Sequence, residues 1–141
     1  RNDLPALKIS VDNLPYDKLV NLYNQCNILV APSRSDAFNI PCIEAMACGL
    51  PVITTNFGGQ TDYVNKENGW LIGGELSEVK HELLYEGIKW LTPDIIELRK
   101  SMREAYFTWE KEIFNKKVEK SLETAKLFQW DLTAKKVVDL I

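Results

Sequence analysis

The stretch Asn27-Ile28-Leu29-Val30-Ala31 is apolar after its first residue and is closed by the turn-rich Pro32-Ser33-Arg34-Ser35-Asp36. A run this short, rich in branched side chains and bounded by turn residues, reads as a strand buried on both faces. Such a strand belongs to a parallel sheet covered by helices. The flanking residues agree. Pro41 starts a helix that runs through Ala47 and is stopped by Gly49. Pro51-Val52-Ile53-Thr54-Thr55 is a further strand, followed by a turn at Gly58-Gly59, a short helix around Thr61 to Val64 and a short strand at Trp70-Leu71-Ile72. Upstream, Leu7-Lys8-Ile9-Ser10-Val11 alternates with period two and is expected to be a strand. Asn13-Leu14-Pro15 then opens a helix with Leu19, Val20, Leu22 and Tyr23 on one face. Strands alternating with helices at this spacing predict an α/β fold, a Rossmann-like parallel sheet with crossover helices.

From about Ser77 no strand signal is read. Val79, Leu83, Leu84, Ile88 and Leu91 form one helical stripe, and Ile95, Leu98, Met102, Ala105 and Tyr106 form a second. Ile113 or Phe114, with Val118, Leu122, Ala125 and Phe128, forms a third, and Thr133 to Ile141 reads as a short terminal helix. The chain thus divides into an α/β segment over 1–76 and C-terminal helices over 77–141, a helical tail packed on it as one structural unit. Tyr106, Phe107, Trp109, Phe114, Phe128 and Trp130 are expected in the core, with a docking face as the other reading of part of them. Lys116, Lys117, Lys120, Lys126, Lys135 and Lys136 are interspersed with Glu112, Glu119, Glu123 and Asp131, so they read as solvated helix faces.

Composition narrows the function classes. A chain of 141 residues suits one domain. Seventeen basic against twenty acidic residues, a net charge of −3, argue against a nucleic-acid or anionic-membrane surface. No run approaches the ~20 apolar residues of a spanning helix. Three cysteines, Cys26, Cys42 and Cys48, and the single His81 make a Cys/His metal site unfavourable and point to a reducing, cytoplasmic setting. The start at Arg1, without an initiator Met, is read as a piece of something larger.

In parallel α/β sheets, ligands gather at the carboxyl ends of strands, where loops lead into helix N-termini. Residues 36–44 occupy such a place. Free N–H groups at the helix start favour an anion such as phosphate. Asp36 and Glu44 flank the turn, and carboxylates suit neutral hydroxyl pairs as acceptors. An anion cradle beside two hydroxyl acceptors describes a sugar nucleotide. The bland alternative is that Asp36 caps the loop and Glu44 faces solvent. Gly58 and Gly59 read equally as an ordinary turn and as a ligand-facing loop, and Arg34 reads as a solvated loop cation. His81 is given no role.

The run from Leu22-Tyr23 through Cys26-Asn27-Ile28-Leu29-Val30-Ala31-Pro32-Ser33-Arg34-Ser35-Asp36-Ala37-Phe38-Asn39-Ile40-Pro41-Cys42-Ile43-Glu44-Ala45-Met46-Ala47-Cys48-Gly49 resembles the family 4 retaining glycosyltransferases, which have the two-domain GT-B fold. Their signature is an acidic residue, seven intervening residues and a glutamate, here Asp36 and Glu44. Gly58-Gly59, Asp62-Tyr63-Val64 and Asn68-Gly69-Trp70-Leu71-Ile72 match the downstream pattern. Ala37 and Asn39 replace glycines common in that motif, and Asp36 stands where glutamate is more frequent. The resemblance implies the C-terminal, donor-binding part of such an enzyme. Glu44 would hold the ribose, and Asp36 would be the catalytic contact to the transferred sugar. The amides of Phe38 and Asn39 would meet sugar hydroxyls and that of Ile40 the diphosphate, with Gly58 and Gly59 on the donor side. The implied donor is a nucleoside diphosphate (NDP) sugar, used without a further cofactor or metal. The acceptor, a glycan, lipid or small molecule, would be held by another domain, with the parent at the inner membrane face as one setting.

The fragment alone would not catalyse transfer, and an exposed sheet edge would favour a homodimer. A non-catalytic sugar-nucleotide-binding or scaffold module is the other reading that stays open.

Overall fold

The computed structural model describes residues 6–11, 13–79 and 87–140. Helix α1 (Tyr16–Asn24) follows Pro15, whose fixed φ suits a helix start, and leads into β1 (Leu29–Ala31). Helix α2 (Ile40–Ala47), with Pro41 in its first turn, crosses back to β2 (Val52–Thr55). A 3-10 turn at Gly59–Asp62 precedes β3 (Gly69–Ile72). The three strands form one parallel sheet in the order β1-β2-β3, with Leu29 opposite Val52 and Val52 opposite Gly69.

Alternation along the strands sends side chains to two separate cores. Leu29, Ala31, Val52 and Leu71 pack with Tyr23, Cys42, Ala45, Met46, Tyr63 and Ala125. Ile28, Val30, Ile53, Trp70 and Ile72 pack on the opposite side with Leu98, Ala105, Phe114 and Val118. A period of two guarantees that successive residues take opposite faces, so both need a cover. Helix α2 covers one face. Helix α3 (Ile95–Thr108), capped by the Asp94 carboxylate on the Ile96 and Glu97 amides, covers the other. Helix α4 (Glu112–Lys126) reaches both, with Phe114 near its start in one core and Ala125 at its end in the other. Helix α5 (Trp130–Val138) has no buried residue.

Four expectations are corrected. The segment Leu7–Val11 is not a strand: Leu7, Ile9 and Val11 are 84%, 76% and 92% exposed, because no neighbouring strand pairs with it among the described residues. The stripe through Val79, Ile88 and Leu91 is not helical at its described ends. Strands β4 (Gly74–Glu78) and β5 (Lys89–Pro93) form an antiparallel pair instead, with Leu76 opposite the buried Leu91 and Ser77 opposite Trp90. Residues Leu83, Leu84 and His81 lie outside the described residues. The pairing is held by contacts far apart in sequence, which periodicity does not see: the Leu91 amide donates to the Arg34 carbonyl (2.9 Å), and the Arg34 guanidinium lies 4.7 Å over the Trp90 ring. Arg34 is exposed, as expected of a loop cation, and its guanidinium covers the Trp90 ring as well.

Third, of the aromatic stripe only Phe114 is buried and Phe128 half-buried, whereas Tyr106, Phe107, Trp109 and Trp130 are exposed. Fourth, Lys117 is buried. Its ammonium donates to the Lys66 and Gly69 carbonyls and sits 4.6 Å over the Trp70 ring. Desolvation lowers its pKa, with Glu104 opposing. Lys116 and Lys120 behave as expected and pair with Glu112 and Glu123 at the surface.

Candidate functional site

The loops leaving β1 and β2 lie directly against each other. In the first, Asp36 Oδ1 accepts the amides of Phe38 (3.0 Å) and Asn39 (2.5 Å), closing an Asx-type turn. Asn39 takes the left-handed conformation (φ 62°, ψ 61°), which asparagine accepts more readily than most residues. Ala37 is not among the residues with positive φ, so the glycine-like demand of this loop falls on Asn39. The Phe38 and Asn39 amides, expected to meet sugar hydroxyls, are thus turned onto the protein's own carboxylate.

The second loop explains both glycines. The Gly59 amide donates to the Asp36 carbonyl (3.1 Å), and Gly58 has φ 94°. A Cβ on Gly58 would strike the Asp36 carbonyl oxygen, and one on Gly59 would strike the Ala37 carbonyl and come within 2.9 Å of Phe38 Cα. Close backbone approach is what excludes a side chain here. Thr55 Oγ1 donates to the Ser33 carbonyl (2.6 Å) and accepts from Gln60 Nε2 (3.0 Å), tying the two loops together further down.

Beneath the first loop lies Tyr63. Its hydroxyl donates to the carbonyls of both Phe38 (2.7 Å) and Asn39 (2.9 Å). Its ring packs 5.3 Å from Phe38 and 5.4 Å from Phe128, centroid to centroid. Burial pushes its phenol well above the usual tyrosine value. Helix α2 then starts at Ile40 with no side-chain cap on its amides.

On α2, Ile40, Ile43, Glu44 and Ala47 follow the i, i+3, i+4, i+7 spacing and line one wall of a cavity of about 630 Å³. Tyr16, Val20 and Tyr23 of α1 form a second wall. Leu122 and Lys126 of α4, with Trp130 and Thr133 of α5, close it, and Phe38 lies at its edge. Tyr23 donates its hydroxyl to Glu44 Oε2 (3.4 Å). Its phenol is pushed up to about 12, first by burial and then by the Glu44 charge. Of the residues singled out from sequence, Phe38, Ile40 and Glu44 share this cavity. Asp36, Gly58 and Gly59 meet each other in the adjoining pair of loops. The sequence places Tyr23 on a helix face, Lys126 on a solvated face and Tyr63 in the downstream motif, and gives none of them a part in the site. Tyr63 lies within Asp62-Tyr63-Val64, and only its contacts reveal what it holds.

The parallel α/β sheet gathers loops and a helix N-terminus at one end, the place where such sheets bind ligands, and comparison with known proteins gives the family. The sequence matches the family described as glycosyl transferases group 1 over residues 9–109, more than half of its length, and the chain belongs to that family. A D-inositol 3-phosphate glycosyltransferase of Rhodococcus jostii is 43% identical over 63 residues, covering 44% of this chain and 14% of that protein. An uncharacterized glycosyltransferase of Methanocaldococcus jannaschii is 33% identical over 118 residues, 79% of this chain and 32% of that one. Two solved structures share the fold. Sucrose-phosphate synthase from Thermosynechococcus elongatus has a TM-score of 0.70 at 24% identity, over 92% of this chain and 28% of that one. A glycosyltransferase from Rickettsia africae has a TM-score of 0.68 at 20% identity, over 85% and 28%. The chain is thus a GT-B-type α/β unit spanning less than a third of the length of these relatives. Among the described residues, no helix is long and apolar enough to cross a membrane.

Proposed function

We propose that this chain is the donor half-site of a retaining, family 4-type glycosyltransferase, binding an NDP-sugar for transfer of the sugar to an acceptor hydroxyl. The observation that carries the reading is that Glu44 and the uncapped start of α2 open onto one cavity of about 630 Å³, a size ordinary for a small-molecule ligand. Glu44 accepts the ribose hydroxyls as a two-oxygen acceptor. The exposed rings of Tyr16 and Trp130 offer stacking faces for the base. The Ile40 amide meets the diphosphate, where negative charge grows as the glycosidic bond to the leaving phosphate breaks. A preorganised amide at a helix N-terminus stabilises that charge without reorganisation. Asp36 spends Oδ1 on its own loop and presents Oδ2 to the sugar. A hydroxyl that takes over the carboxylate frees the Phe38 and Asn39 amides to meet the sugar in turn, with Gly58 and Gly59 holding the loop from behind. Acceptor binding, and the turnover that depends on it, belong to the remaining parts of a longer protein in a cytoplasmic setting.

Titration of isotope-labelled protein with UDP, GDP and ADP, followed by backbone amide shifts, tests this directly. Shifts at residues 38–45 for one nucleotide, lost in Glu44→Ala, are expected; shifts that persist in the variant would refute the role given to Glu44. One observation favours a second reading: Asp36 already caps its own loop, as a non-catalytic sugar-nucleotide-binding module would have it. Transfer activity in a longer parent, lost on Glu44→Ala, separates the two.

A further inference from the structure

We infer that Tyr63 is the positioning residue of the phosphate-facing amide, holding the peptide between Asn39 and Ile40 so that the Ile40 N–H points outward. The inference deepens the donor-site reading above and rests on it for the identity of the ligand. A trans peptide is planar, with its carbonyl and N–H on opposite sides. The structure has no cis peptide bond among its described residues. When Tyr63, buried at 4% exposure, draws the Asn39 carbonyl inward, the Ile40 N–H of the same plane is driven the other way. As the first residue of α2, Ile40 has no carbonyl four residues back in the helix to bond to. The preceding peptide is fixed by the same hydroxyl: the Phe38 carbonyl faces Tyr63, and the Asn39 N–H faces Asp36.

The hydroxyl acts here together with the Cys42 amide, which also donates to the Asn39 carbonyl (2.9 Å), because Asn39 sits in the left-handed region, where the backbone requires outside support. The Tyr63 ring, by contrast, is held by Phe38 and Phe128 and survives loss of the oxygen. The aromatic triangle also gives the end of α4 a part in the site. Phe128, just past that helix, packs 5.7 Å from Phe38.

Tyr63→Phe removes the hydroxyl and keeps the ring. The labelled chain and this variant are titrated with UDP, GDP and ADP and with the matching nucleosides, and the N–H residual dipolar couplings of the free proteins are recorded. For the base that binds, the diphosphate is expected to weaken about tenfold while the nucleoside changes by less than about twofold, as one lost hydrogen bond would give. The Ile40 coupling moves, and those of β1 to β3 do not. Equal weakening of nucleoside and diphosphate, no weakening of either, or an unchanged Ile40 coupling would overturn the inference while leaving the donor-site reading standing. A wild-type chain that binds none of the six ligands overturns the donor-site reading and the phosphate role of Tyr63 together. The Ile40 coupling then reports separately whether the hydroxyl orients the peptide.

Discussion

At Gly59 the two loops of the site come so close that no other residue fits. Gly59→Ala would drive a methyl group into the Ala37 carbonyl, so something must shift. A loss of about 1–3 kcal/mol is expected in urea unfolding, as for overpacking, with shift changes concentrated at Ala37 and Phe38. Tyr23 offers a pH test. Its phenol titrates near 12 instead of 10, so the folded state favours the neutral form. The stability this contributes is complete below pH 10 and lost as pH rises through about 12. Phenolate absorbance should show the late midpoint. In Glu44→Gln it should fall but remain above the ordinary value, since burial outweighs the Glu44 charge. Asp36, Glu44 and both glycines were legible in the sequence, from their spacing and from resemblance. Tyr23 and Tyr63 were not, because a tyrosine on an apolar stripe looks the same whether its hydroxyl meets water or a backbone carbonyl.

At the scale of elements, the core-forming pieces of the first half were readable wherever the pattern reported burial. Strand β2 is buried at every residue, and its β-branched Val52-Ile53-Thr54-Thr55 marks it as a strand in the sequence. Leu7–Val11 has the right alternation but no partner strand among the described residues, and β4–β5 have partners and lack the alternation. Helix α3 and helix α4 lie where their stripes put them, yet their buried sets differ from the apolar ones: Ser101, Lys117 and Ser121 are inside, while Ile95, Tyr106 and Ile113 are outside. Polar residues enter because the sheet end supplies carbonyls: Ser121 Oγ donates to the Asn68 carbonyl (2.9 Å) and Lys117 to that of Gly69. Phe114→Ala should therefore cost about 3–5 kcal/mol as a core truncation. Phe107→Ala, at an exposed ring in the neighbouring helix, should stay within about 0.5 kcal/mol. Paired denaturant unfolding curves check the contrast.

For the whole molecule, the sheet carries an open side. The outer edge of β1 pairs with no strand among the described residues, and beside it Ile28, Val30, Ile53, Met102, Tyr106 and Trp109 line an apolar groove of about 380 Å³. An unpaired edge beside exposed aromatics favours association. Light scattering of the isolated chain should show a concentration-dependent dimer, and Tyr106→Glu, which places a charge in the groove, should return it to the monomer. A strictly monomeric wild type at high concentration would remove the idea.

The sequence by itself determined the parallel α/β scheme, the strands β1 to β3, the crossover helix between them and the carboxylates at its start. These follow from local burial pattern, turn chemistry and residue spacing, all of which are written along the chain. Only the tertiary structure decided that Leu7–Val11 pairs with no strand among the described residues, that β4 and β5 pair beside Arg34, and that Tyr106 and Trp109 line a groove. It alone decided, too, that Tyr63 holds the loop after β1 through the Phe38 and Asn39 carbonyls. Each of these depends on which distant group comes within hydrogen-bond or van der Waals reach, and residue order does not carry that distance.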